Sequence, residues 1–459
     1  MTGERKWHAE WALLPDGPAR DVVLDVVGGR FAAITVGVPA VQAAADGAER
    51  LPGVVLPGLA NCHSHAFHRA LRGRTHSGGG TFWTWREGMY AIANRLDPDS
   101  YLQLARATYA EMALAGITAV GEFHYLHHQP GGTPYDDPNA MGHALVEAAR
   151  DAGIRLTLLD TCYLAGGLTA DGHTELAGPQ LRFGDGGVDG WATRVSELTD
   201  HAAGGPGHLR VGAAIHSVRG VPREALGRVA EFGRTRPGGA APVHAHVSEQ
   251  PAENEACLAA YGLTPTGLLA AEGALSPEFS AVHATHLTGA DIALLGDSRS
   301  TACFCPTTER DLADGIGPAR ALVDAGARLS LGSDQHAVID LIEEARALEM
   351  HERLDTLERG RFTPDQLLVA ATAHDTIGWP DAGRLEVGAR GDLVAVRLDS
   401  PRTAGADPGQ VLLAATAADV DTVVVDGEVV VTEGRHRLED GRRLGPRMAE
   451  VIDLLWTGP

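Results

Sequence analysis

Two rhythms of hydrophobic and polar positions divide the chain. From Trp7 to about Val38 apolar and polar residues alternate, broken by Gly-Pro and Gly-Gly, as in Asp21-Val22-Val23-Leu24-Asp25-Val26-Val27-Gly28-Gly29-Arg30-Phe31. Period-two alternation between turn signals predicts a small antiparallel sheet. The Ala- and Asp-rich residues 39–50 read as a loop. From Val54 the pattern becomes short continuous apolar runs, at 54–56, 117–121, 155–159, 209–215, 242–247, 279–282, 301–304 and 328–331. Each is followed by a stretch of helical composition and period, the first at 99–115 and the last at 341–357. Eight such strand–helix units predict an α/β fold, a (β/α)8 TIM-like barrel over residues 54–382. A doubly wound open sheet uses the same units, but no phosphate-binding glycine fingerprint follows the first strand. After one more helix at 364–373 the chain returns to short strands, with Asp426-Gly427 as a hairpin turn between 420–424 and 429–431. Residues 1–53 and 383–440 are therefore expected to pair into one small β-sandwich domain beside the barrel, and 441–459 to form a helical tail.

Composition narrows the class. With 44% hydrophobic and 21% charged residues in 459, the chain has ordinary globular values. No apolar run reaches membrane-spanning length, and the first residues lack the apolar core of a signal peptide, so a cytoplasmic protein that uses no membrane is expected. Five scattered cysteines, Cys62, Cys162, Cys257, Cys303 and Cys305, suit a reducing compartment better than a disulfide framework. A net charge of −22 argues against an extended nucleic-acid surface, and an anionic small substrate would need local arginines.

In a barrel of this kind the chemistry sits at the C-terminal ends of the strands. His63 and His65 follow the first run two residues apart, and in extended backbone such residues share a face, so both imidazoles can reach one metal ion. The fifth strand, Val243-His244-Ala245-His246-Val247-Ser248-Glu249, offers His246 and Glu249. The sixth offers His283 or His286, and the eighth, Leu331-Gly332-Ser333-Asp334, offers Asp334. A lone histidine at a strand end is more often hydrogen-bonded packing, and Gly-Ser-Asp also caps helices. Four independent strands ending this way point to a shared divalent metal.

The order His-x-His, His, His, Asp on strands one, five, six and eight resembles the amidohydrolase superfamily over nearly the whole chain. The motifs Pro57-Gly58-Leu59-Ala60-Asn61-Cys62-His63-Ser64-His65, Phe82-Trp83-Thr84-Trp85-Arg86-Glu87, Glu122-Phe123-His124-Tyr125-Leu126-His127-His128 and Ile215-His216-Ser217-Val218-Arg219 make it similar to the branch that deiminates formiminoglutamate. The resemblance implies one divalent metal, zinc or, since it accepts similar ligands, iron, held by His63, His65, His246 and Asp334. It implies catalytic roles for Glu249, His283 and Asp334, and contacts to an anionic amino-acid-derived substrate from His68, Arg86, Tyr125, His216 and Arg219. A homodimer is common in the superfamily and is expected here. A second metal there usually needs a carboxylated lysine on the barrel, and the sole lysine, Lys6, lies outside it. This branch often carries glutamine where this chain has His68. His124, His127 and His128 are expected behind the site or on the surface. A deaminase of a related amidine or heterocycle is the competing enzyme; a scaffold that has lost catalysis should have lost Glu249, His283 or Asp334.

Overall fold

The computed structural model describes residues 3–76, 80–203, 207–235, 240–438 and 441–457. The outermost residues expected in the chain-end domain and the helical tail, and the junction between them at 439–440, thus lie outside the described residues. Strands β1 (Arg5–Leu14), β2 (Gly17–Val27), β3 (Arg30–Val36) and β4 (Glu49–Pro57) come first, and β5 (Leu59–Ser64), β6 (Ile117–His124) and β7 (Arg155–Cys162) follow. A short hairpin, β8 (Gly167–Thr169) and β9 (Gly172–Thr174), precedes β10 (Leu209–Ile215), β11 (Val243–Val247), β12 (Phe279–His283), β13 (Thr301–Phe304) and β14 (Arg328–Leu331). The chain ends with β15 (Leu393–Val396), β16 (Val420–Val425), β17 (Glu428–Thr432), β18 (Arg435–His436) and a helix, Gly441–Thr457.

Two eight-stranded sheets result. One is all parallel, in the order β5-β6-β7-β10-β11-β12-β13-β14. Its two ends meet at their C-terminal tips, where Ser64 bridges Asp334 and the N–H groups of Ser333 and Asp334 donate to the His63 carbonyl at 3.1 and 3.0 Å. That seam closes the barrel. A side chain at Gly332 would lie 2.8 Å from the Cβ and the carbonyl oxygen of His63, so only glycine lets the eighth strand approach the first this closely.

The other sheet, β18-β17-β16-β15-β4-β1-β2-β3, joins both chain ends in one continuous ladder. Its own core holds Trp7, Val22, Leu24, Phe31, Val55, Leu393 and Val424, all nearly or fully buried. Here the first barrel strand of the sequence reading is corrected: residues 54–56 belong to β4, which pairs with β1 and β15, and the barrel opens with β5. One residue, Gly58, separates the two strands. Short apolar stretches on either side of Pro57-Gly58 mark two buried strands, but periodicity does not say which sheet each joins. Arg155 at the base of β7 forms a buried ion pair with Asp392 just before β15, tying the two sheets together.

Candidate metal centre and substrate cavity

Four strand ends deliver the site. His63 and His65 lie on or just past β5, His246 on β11, His283 at the end of β12, and Asp334 three residues past β14. Backbone geometry at these points is unusual: Ser248, His283, Ala284 and Asp334 have φ of +52, +67, +49 and +41°. Left-handed backbone costs of order 1–3 kcal/mol per non-glycine residue and persists only where surroundings enforce it. The enforcing contacts are visible. Ala284 and His286 donate to the carbonyls of Val247 and Ser248 at 3.0 Å each, while Asp334 is held by the His63 carbonyl.

The His65 Nδ1–H donates to the Phe123 carbonyl at 2.9 Å, and the His246 Nδ1–H donates to the His216 carbonyl at 2.8 Å. Each bond selects the tautomer whose Nε2 keeps its lone pair for a metal. Those atoms converge. Asp334 Oδ1 lies 3.3 Å from His63 Nε2 and 3.4 Å from His65 Nε2, and His63 Nε2 lies 3.2 Å from His246 Nε2. Ligands about 2.0–2.1 Å from one tetrahedral ion stand about 3.3–3.4 Å apart, so the spacing fits a zinc-sized cation. Burial pushes His63, His65 and His246 below the ordinary imidazole value, which keeps them neutral and able to ligate. Burial alone would raise Asp334, but its hydrogen bond with His63 and the nearby charge of His283 hold it well below the carboxylate range.

His283 stands on the far side of Asp334, its Nε2 3.9 Å from Oδ2 and 3.7 Å from Glu249 Oε1, with Glu309 3.6 Å from its Nδ1. Burial would lower it; Glu249, Glu309 and Asp334 together raise it well above the usual value. The alternative on that strand, His286, does not line the cavity. Glu249 Oε2 also lies 3.5 Å from Arg219, whose guanidinium is kept charged, against burial, by Glu253 and Glu249.

Apart from His63, which lies fully buried behind it, every site residue expected from the sequence lines one cavity. His68 is pushed by burial to about 3, so its ring is neutral and, like an amide, offers one donor and one acceptor. Its Nε2 meets the Tyr125 hydroxyl at 3.0 Å. Arg86 extends from a helix, Phe82–Ala93, where its Nε–H donates to the Tyr90 hydroxyl at 2.9 Å. The side chains of Phe82 and Trp83 in that motif lie outside the described residues.

His124, His127 and His128 are corrected from the surface alternative: all are buried. His128 meets Asp185 at 3.0 Å, and Arg194 bridges Asp185 and Asp160, an ion-paired cluster whose residues do not line the cavity. The sequence reading also passed over Tyr90, Tyr163, Phe183 and Glu309. Tyr90 follows Arg86 by one helical turn, and Tyr163 directly follows β7, so helix spacing and the strand-end rule would have found both.

Comparison with known proteins places the chain in a family. Residues 54–430 match the amidohydrolase family, and residues 5–51 match the N-terminal domain of formimidoylglutamate deiminase HutF. The chain is 38% identical to formimidoylglutamate deiminase from Pseudomonas aeruginosa, over 97% of this chain and 99% of that one. It is similar to the crystal structure of an amidohydrolase from Brucella melitensis, with TM-score 0.87 and 32% identity over 99% of this chain and 100% of that one. An adenosine deaminase from Xanthomonas campestris, solved with bound zinc, shares the fold at TM-score 0.82 and 22% identity, over 99% of each chain.

Proposed function

The chain belongs to the amidohydrolase family, and we propose that it hydrolyses N-formimino-L-glutamate to N-formyl-L-glutamate and ammonia, a step of histidine degradation. The observation that carries this reading is one cavity in which a metal-type cluster and an adjacent carboxylate, Glu249, face two arginines, Arg86 and Arg219. The similarity to formimidoylglutamate deiminase over nearly the full length supports it.

In this reading His63, His65, His246 and Asp334 would hold one divalent ion, and three imidazoles with a carboxylate suit zinc or iron. Such an ion, when bound, lowers the pKa of its water towards about 7 and so supplies a nucleophile at neutral pH. The chain's own groups do the rest. Glu249 takes the proton of the attacking water and delivers it to the leaving nitrogen, a transfer its place between His283 and Arg219 suits. His283, ringed by carboxylates, carries a proton and orients the attacking oxygen by hydrogen bonding. Asp334 shares the proton traffic. A formimino group is amidine-like and cationic, so its carbon is electrophilic and its charge suits a site lined by Glu249 and Asp334. As the tetrahedral carbon collapses, the C–N bond to the terminal nitrogen breaks and ammonia leaves, while the hydroxyl O–H gives up its proton to Asp334 and the formyl C=O forms.

Arg86 and Arg219 take the two substrate carboxylates, with directional hydrogen bonds from Tyr125, His216 and His68. The rings of Tyr125, Tyr163 and Phe183 could stack a heterocycle, but two arginines in so small a cavity favour a dicarboxylate. The test is a coupled ammonia assay of metal-loaded protein against N-formimino-L-glutamate, nucleobases and guanidino acids. Turnover of formiminoglutamate alone is expected; turnover of a base alone would overturn the reading. Arg86→Met should raise KM for formiminoglutamate by about tenfold or more, as expected when a charged hydrogen bond is removed. An unchanged kcat/KM would remove Arg86 from the site.

A further inference from the structure

We propose that Tyr90 is a substrate-binding residue, its hydroxyl donating a hydrogen bond to the carboxylate that Arg86 grips, and that Gln180 aims it. The assignment rests on the reading of the cavity as a formiminoglutamate site.

A phenol oxygen has two acceptor positions and one hydrogen to give. Both acceptor positions of Tyr90 are filled from within the protein: the Arg86 Nε–H donates to it at 2.9 Å and the Gln180 side-chain amide at 3.1 Å. Its own hydrogen finds no acceptor among the described residues, and Tyr90 lines the cavity. Burial, with Tyr163 nearby, raises the phenol to about 12, so the hydrogen stays in place at any working pH. A donor held beside a guanidinium and lacking an acceptor is suited to a carboxylate oxygen.

Gln180 is itself fixed. It sits on a short 3-10 turn, Gly178–Arg182, and its amide also donates to the Gly166 carbonyl at 2.9 Å, while its Oε1 accepts from the Ala177 N–H at 3.3 Å. The Arg86 guanidinium also lies over the Tyr90 ring, 5.2 Å from its centroid. Gln180, Tyr90 and Arg86 thus form one braced unit in which Gln180 is a positioning residue and Tyr90 touches substrate.

The test uses full-length, metal-loaded protein and three substrates: N-formimino-L-glutamate, N-formimino-4-aminobutyrate, which lacks the α-carboxylate, and N-formimino-L-2-aminobutyrate, which lacks the side-chain carboxylate. Tyr90→Phe should raise KM for formiminoglutamate about tenfold with kcat nearly unchanged, the size expected for one hydrogen bond to a charged group. On the analogue missing the carboxylate in question, wild type and variant should have equal kcat/KM; on the other analogue the tenfold gap should persist. Gln180→Ala should raise KM by about threefold, and the double variant should be no worse than Tyr90→Phe alone. An unchanged KM in Tyr90→Phe, or an equal loss on all three substrates, overturns the assignment. Wild type that releases no ammonia from formiminoglutamate overturns instead the reading beneath it.

Discussion

Glu249→Gln is expected to lower kcat by about a thousandfold while leaving the metal in place, because general acid–base transfer is worth roughly 10²–10⁴ in rate. The amide keeps the shape of the carboxylate but cannot take a proton from water at neutral pH. Glu249 stands outside the converging donor atoms: its Oε1 lies 3.7 Å from His283, while the short contacts between donor atoms join His63 to Asp334 and His246 and His65 to Asp334. Its backbone is anchored independently, the Glu249 N–H donating to Glu253 at 3.3 Å, so the substitution should not move the loop. Metal analysis, thermal melting and single-turnover ammonia release on the same preparation separate the effects. Near-normal turnover would remove Glu249 from proton transfer, and loss of the metal would show that its charge serves the ion instead.

Stripping the metal with a chelator should abolish turnover, by more than about a thousandfold, and adding zinc should restore it, since the ion is what brings the pKa of the attacking water towards neutral. A structural readout should accompany the loss. A site that binds only the folded chain stabilises it by about 2.7 kcal/mol at a hundredfold excess over Kd, so the melting temperature should rise with metal concentration. Burial keeps His63, His65 and His246 neutral, so the apoprotein should rebind metal at neutral pH without first having to deprotonate them. Asp334→Ala should reproduce the chelated state and resist rescue. Full activity in protein shown to contain no metal would overturn the centre.

Much of this site is legible along the chain because strand geometry is local. A period of two puts His63 and His65 on one face, and the strand-end rule marks His246, Glu249 and Asp334 before any pairing is known. Long motifs add Arg86, Tyr125, His216 and Arg219. What local pattern does not carry is which strand lies beside which. The apolar run at 54–56 reads as the first barrel strand, yet it lies in β4 of the chain-end sheet and the barrel opens with β5, a choice made by partners as remote as β15. The same holds for His283 over His286, which depends on the left-handed turn after β12. It holds for the burial of His124, His127 and His128 against Asp160, Asp185 and Arg194, and for the brace from Gln180 through Tyr90 to Arg86. The sequence by itself thus determined the barrel, the residue types at its rim and the chemistry they support. The tertiary structure decided which of them meet, because strand pairing, barrel closure at Ser64 and Asp334, and hydrogen bonds such as that of Asn61 to Ser333, 272 positions away, are long-range contacts.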